Sequence, residues 1–185
     1  MRFSYKKLAM GVLASIMLAG AASAGELLVY SSTDADNLKY YMDNFQKDNP
    51  DIKVKVVRES TGTMAAKMMA EKDNPQADVL FEMAATVALN METQGMFHPY
   101  TPKGMDKIDQ RYVDKEGEVK GVGNYGWAGC ICWNTVEAKK LGLPKPKSWA
   151  DLTNPVYKGL ISMPNPNSSG TGFLDVSSWI QVMGE

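Results

Sequence analysis

Transition-metal ligands and reactive nucleophiles are scarce in this sequence, which has one histidine and two cysteines in 185 residues. His98 has no cysteine or second histidine near it in the sequence, so we expect a loop or core histidine and no metal site. Cys130 and Cys132 lie two residues apart in an apolar run typical of a strand, where both side chains would point to one face. Because that geometry disfavours a disulfide between them, we expect two small thiols buried in a core.

Long apolar runs are also missing after the first two dozen residues. Residues 1–24 combine a basic start, an apolar stretch of roughly 14 residues where a spanning helix needs ~20, and the small residues Ala22, Ser23 and Ala24. This pattern predicts a secretory signal peptide. No cysteine lies near the expected cleavage point to carry a lipid anchor, so we expect a monomeric protein that diffuses in the periplasm.

An excess of positive charge and the common catalytic motifs are absent too. Without residues 1–24, which hold three basic residues and no acidic one, the chain has 17 basic and 21 acidic residues. A nucleic-acid-binding protein would usually carry a clustered basic face. The run 167-NSSGTG-172 is not a G-x-S-x-G elbow, and 60-STGTMAAK-67 lacks the Gly-Lys-Ser/Thr ending of a phosphate loop. We therefore expect a binding protein that is not an enzyme, needs no cofactor and does not bind nucleic acid.

Three strand, turn and helix units fill the first part of the chain after residue 24. The strands are predicted at 26–32, 52–59 and 77–83, and the helices at 33–50, 60–72 and 84–95. Repeated units of this kind predict a parallel sheet with right-handed crossovers, and hence an α/β fold. The turns that follow the strands, at 31–34, 60–63 and 82–85, then lie at one edge of the sheet, where open α/β folds bind ligands.

The later part of the chain ends in a fourth turn rich in hydroxyl groups. Strands are predicted at 124–134 and 158–164, with a helix at 135–142 between them, and 163-MPNPNSSGTGF-173 opens a further helical pattern. That pattern continues to the last residues, from which we expect a truncated chain. Serine and threonine at a helix start can be simple N-caps, but four such turns at one edge predict a neutral receptor for an anion.

Four segments, in order after the predicted signal peptide, carry a resemblance to a known family. They are 29-VYSSTDADNL-38, 59-ESTGTMAAKM-68, 77-ADVLFE-82 and 148-SWADLTNPVYKGLISMPNPNSSGTGF-173. Together they resemble the N-terminal half of a periplasmic solute-binding protein of a bacterial ABC importer, extracellular solute-binding family 1. The resemblance implies a type II periplasmic-binding-protein fold with two lobes, a hinge and a ligand cleft, and a permease partner in the inner membrane.

The resemblance also implies a domain division and a ligand class. Residues 25–127 would form lobe 1 without its return strands, and residues 128–185 the start of a truncated lobe 2. Within the family, the sequences of segments 29–37 and 163–173 are most similar to those of 2-aminoethylphosphonate binders. A sister branch binds ferric iron, typically through adjacent tyrosines of the C-terminal half, and ferric iron is the alternative ligand.

The candidate ligand-binding residues come from both expected lobes. Those for the phosphonate oxygens are Ser31, Ser32, Thr61, Gly62 and Thr63 of lobe 1, with Ser168, Ser169, Gly170 and Thr171 of lobe 2. Glu82 is expected either to pair with the ammonium group of the ligand or to be a solvated or capping carboxylate. Trp127 is expected either to flank the cleft at the hinge or to pack in a core.

Overall fold

The computed structural model describes residues 25–114 and 121–184. The predicted signal peptide, residues 1–24, lies outside these ranges. Among the described residues, none of the helices is long and apolar enough to cross a membrane.

A three-stranded parallel sheet is the centre of the fold. Its strands are β1 (Gly25–Ser31), β2 (Ile52–Arg58) and β3 (Val79–Phe81), in the order β2-β1-β3. All seven residues of β1 are paired with β2, whereas β3 is paired only with the last three residues of β1. The predicted parallel α/β arrangement is confirmed, and it places the carboxyl end of β1 between those of its two neighbours.

Each strand is followed by the helix that the sequence predicts. These helices are α1 (Ala35–Asp48), α2 (Thr61–Ala70) and α3 (Ala85–Thr93). Tyr30 of β1 packs with Met64, Met68 and Met91 in the buried core, so each of β1, α2 and α3 contributes an apolar side chain. Methionine suits this role because its flexible side chain fills irregular space between helices and sheet.

The later part of the chain contains two more α-helices. Helix α4 (Thr135–Leu141) begins after Asn134, whose side-chain oxygen accepts hydrogen bonds from two backbone N–H groups, and ends at the left-handed Gly142. Helix α5 (Gly170–Met183) begins after Ser169. Four short 3₁₀ helices complete the described elements, at Met105–Lys107, Gln110–Tyr112, Ala150–Thr153 and Pro155–Tyr157.

Two strand predictions and the prediction of buried thiols are wrong. Residues 124–134 and 158–164 form no strand, and the free thiols Cys130 and Cys132 are both exposed. A strand becomes stable when a neighbouring strand pairs its backbone N–H and C=O groups, and none of the described strands lies beside these segments. Apolar composition alone therefore does not bury this part of the chain.

Candidate functional site

The carboxyl ends of β1 and β3 bring the first candidate residues together. Ser31 is fully buried, and its hydroxyl accepts a hydrogen bond from the Thr33 N–H at 3.1 Å. The N–H and the hydroxyl of Ser32 both donate to the backbone carbonyl of Glu82, at 2.9 and 3.3 Å. Since β1 and β3 are adjacent, serines and a carboxylate that are 50 residues apart in sequence share one edge of the sheet.

Glu82 adopts a backbone conformation that is unusual for its residue type. Its φ of 61° lies in the left-handed region, which costs a non-glycine residue about 1–3 kcal/mol. The two hydrogen bonds from Ser32 hold its carbonyl in this conformation. One carboxylate oxygen accepts a hydrogen bond from the Asn124 side-chain amide, while the other, Oε2, is buried and has no partner among the described residues. Glu82 is thus held at the sheet edge with one acceptor unused.

The N-termini of three helices meet beside this edge, at a helix junction that we define by Thr61, Gly62, Ala84, Ser168 and Gly170. The Gly62 N–H of α2 donates to the carbonyl of Ser168, next to α5, at 3.0 Å. A methyl group added at Gly170 would lie 2.8 Å from the Thr61 hydroxyl and 3.3 Å from the Ala84 side chain. The starts of α2 and α5 therefore approach this closely only because positions 62 and 170 are both glycine.

The helix junction presents backbone N–H groups that no group of the described residues uses. The Ser169 hydroxyl caps α5 by accepting a hydrogen bond from the Gly172 N–H at 3.3 Å. Four further N–H groups have no hydrogen-bond partner within the described ranges, those of Thr61, Thr63, Gly170 and Thr171. Helix N-termini also carry the positive end of the helix dipole, so this junction favours an anion without any lysine or arginine.

The remaining candidate residues differ in how well the structure connects them to the helix junction. Thr63 is exposed at the start of α2, and its hydroxyl lies 3.1 Å from that of Ser60. Trp127 is exposed in the irregular segment that follows Asn124, and no hydrogen bond or ring contact within the described ranges joins it to the other candidates. Ser168 takes part through its backbone carbonyl, while its hydroxyl faces the Asn165 carbonyl at 3.5 Å.

Two residues that the sequence did not single out belong to the same edge of the sheet as Glu82. Thr33 is 3% exposed, and its hydroxyl has no hydrogen-bond partner among the described residues. Burial raises the pKa of the Tyr125 phenol, and the negative charge of Glu82 raises it further. The phenol also lies near the Thr33 hydroxyl, outside hydrogen-bond geometry. Thr33 stands in the predicted turn at 31–34, but no sequence signal brings Tyr125 to it.

One cation is close to this edge of the sheet. The Arg58 side chain donates to the backbone carbonyl of Thr33 at 2.6 Å and lies 3.9 Å from the Asp34 carboxylate. Its charge is therefore partly balanced by Asp34. Two cavities of about 450 and 260 Å³ lie elsewhere, around residues 152–161 and around Trp149 and Trp179.

Comparison with known proteins gives the family of the chain. Residues 31–185 match the family of bacterial extracellular solute-binding proteins. An uncharacterized protein of Haemophilus influenzae is 32% identical over 93% of this chain and 51% of its own length. The probable ABC transporter periplasmic-binding protein y4fP of Sinorhizobium fredii is 30% identical over 79% of this chain and 40% of its own length.

A solved structure agrees with this match. The periplasmic binding protein AfuA from Actinobacillus pleuropneumoniae, with exogenous fructose-6-phosphate bound, is 32% identical with a TM-score of 0.72, over 87% of this chain and 51% of that chain. The present chain thus spans about half the length of the curated relatives that it matches. Its α/β fold is that of the periplasmic binding proteins, and the chain belongs to the family of bacterial extracellular solute-binding proteins.

Proposed function

We propose that this protein is the periplasmic substrate-binding component of an ABC importer, which captures a small anion and delivers it to a permease in the inner membrane. Membership of the solute-binding family supports binding without turnover. The observation that carries the proposal is the helix junction, where four N–H groups without partners in the described part of the chain lie at the N-termini of α2 and α5. An anion placed there would receive hydrogen bonds from both helices at once.

The candidate residues take different roles in this proposal. Thr61, Thr63, Gly170 and Thr171 supply N–H groups, and Ser32 and Ser169 supply hydroxyls. Gly62 and Ser168 act by their mutual backbone hydrogen bond, because the Gly62 N–H is already used. Ser31 acts indirectly, because its hydroxyl accepts a hydrogen bond from the Thr33 N–H and so fixes the turn. Trp127 flanks the site near the division between a lobe 1 of residues 25–127 and a lobe 2 that starts at residue 128.

The preferred ligand is 2-aminoethylphosphonate. Its phosphonate oxygens would accept hydrogen bonds at the helix junction, and its ammonium group would meet the unused Oε2 of Glu82. A sugar phosphate is the second candidate, because AfuA, with 32% identity, was solved with fructose-6-phosphate bound. Ferric iron is the alternative, although the described residues contain no group of three histidine, cysteine, aspartate or glutamate side chains that could hold a metal ion.

Calorimetric titration of the metal-free protein, expressed from its own gene, tests the proposal. The titrants are 2-aminoethylphosphonate, phosphate, fructose-6-phosphate and ferric citrate, each measured separately. We expect heat with 2-aminoethylphosphonate that persists in the presence of a chelator. Heat with fructose-6-phosphate alone would move the assignment to sugar phosphates. Heat with ferric citrate alone would overturn the anion site.

A further inference from the structure

Three polar side chains lie at the sheet edge beside the helix junction, and two of them have unused hydrogen-bonding capacity. Glu82 Oε2 is buried without a partner among the described residues, and so is the hydroxyl of Thr33. The Tyr125 phenol lies near the Thr33 hydroxyl, and the preceding residue, Asn124, donates a hydrogen bond to the Glu82 carboxylate. Tyr125 is 56% exposed as a residue. A buried acceptor without a donor is costly, so such groups are kept where a ligand can complete their hydrogen bonds.

The backbone holds these groups in place before any ligand arrives. Thr33 is tied by its N–H to the Ser31 hydroxyl and by its carbonyl to Arg58. Glu82 is held by Ser32 and Asn124, in a left-handed conformation that a non-glycine residue adopts rarely. An arrangement of this kind points to a binding role for the side chain rather than to a packing role.

The charges around these groups favour a cationic partner over a neutral one. Glu82 and Asp34 are negative, and Arg58 lies 3.9 Å from Asp34 and donates to the Thr33 carbonyl, whereas no ion pair among the described residues involves Glu82. The negative charge of Glu82 is therefore not balanced by a cation within the described ranges, and the hydroxyl groups of Thr33 and Tyr125 belong to the same site. A primary ammonium group matches this site, because it donates three hydrogen bonds and carries the opposite charge.

We propose that Thr33, Glu82 and Tyr125 form an ammonium subsite that selects ligands bearing an amine next to the anion. This inference rests on the proposed function, since the anion is held at the helix junction. It adds two specificity-determining residues, Thr33 and Tyr125, to the candidates from the sequence. Two residues connect the subsite to the anion site. Ser32 is hydrogen-bonded to Glu82, and Ala84, two positions after Glu82, is part of the helix junction.

A matched pair of probes tests the subsite separately from the anion site. We would titrate the protein, expressed from its own gene, with 2-aminoethylphosphonate and with ethylphosphonate, which lacks the amine. We expect 2-aminoethylphosphonate to bind about tenfold more tightly or better, because a hydrogen bond to a charged group is made only with the amine. Equal affinities would overturn the subsite and leave the anion site intact. No binding of either probe would overturn both.

Variants assign the roles within the subsite. Glu82→Gln should remove most of the preference for the amine, and Tyr125→Phe should reduce it about threefold to tenfold, with little change for ethylphosphonate. Thr33→Val should also weaken binding of the amine probe while leaving the unfolding midpoint unchanged or higher, because the hydroxyl has no partner to lose among the described residues. The exposed Tyr100→Phe is the control and should change neither affinity. Equal losses for both probes would show that these residues act on the fold instead.

Discussion

The backbone N–H of Gly62 donates a hydrogen bond of 3.0 Å to the backbone carbonyl of Ser168. This bond joins the start of α2 to the residue before the cap of α5, across 106 positions of sequence. It leaves no room for a side chain at position 62, since an added methyl group would lie 2.8 Å from the Ser168 Cα and closer still to the Asn167 carbonyl. The arrangement of the candidate anion site therefore depends on this glycine.

Gly62→Ala should separate the two helix ends. Overpacking against backbone atoms costs about 1–3 kcal/mol, and the better helix propensity of alanine offsets at most about 1 kcal/mol of that cost. We expect a lower unfolding midpoint in urea and weaker anion binding. Gly121→Ala, where nothing lies within 4 Å of the added methyl group, is the control and should change neither. If Gly62→Ala unfolded at the wild-type urea concentration and bound the anion with wild-type affinity, the close contact between Gly62 and Ser168 would be contradicted.

Two substitutions at Ser169 should separate helix capping from anion binding. Ser169→Ala removes the hydroxyl that caps α5 and should lower the free energy of unfolding by about 1 kcal/mol. Ser169→Asp keeps a good N-cap, and so should retain stability, but it places a negative charge where the anion binds. We expect Ser169→Asp to abolish phosphonate binding in calorimetry with a normal unfolding curve. Undiminished binding in this variant would exclude Ser169 from the anion site.

The stability of the protein should fall in acid partly through Glu71. The hydrogen bond from Lys67 lowers the pKa of the Glu71 carboxyl, and the Tyr30 hydroxyl also donates to it. A lowered pKa in the folded state means that this contribution is fully present above the ordinary value of 4.5 and is lost as the pH falls through the folded value. Chemical unfolding at a series of pH values should therefore show a smaller acid loss for Glu71→Gln than for the wild type. Parallel curves for the two proteins would contradict this.

Cys130 and Cys132 should react readily with a thiol reagent in the native protein. Both thiols are exposed and free, so a disulfide-exchange reagent should modify them at a rate similar to that of the urea-unfolded chain. The single substitutions Cys130→Ser and Cys132→Ser serve to count the reactive groups, each removing one. Slow reaction in native buffer with fast reaction in urea would indicate burial, as the sequence had predicted.

Much of the fold between residues 25 and 95 could be predicted because its signals are local. The apolar runs at 26–32 and 52–59, with a polar turn and an amphipathic segment after each, became β1, β2 and their helices within a few residues. The sequence also predicted that the turns after the three strands lie together, because adjacent parallel strands have their carboxyl ends at the same edge of the sheet. The predicted strands at 124–134 and 158–164 failed because a strand depends on a partner, which a window of sequence does not show.

The sequence by itself determined the helices, the parallel sheet and the family, since periodicity, turn residues and the order of motifs are properties of short segments of the chain. Only the tertiary structure decided that Gly62 and Ser168 touch and that Asn124, the neighbour of Tyr125, is hydrogen-bonded to Glu82. It also decided the left-handed backbone of Glu82 and its unused oxygen. These relations depend on packing between elements far apart in sequence, where distances, and not composition, set which donors and acceptors meet.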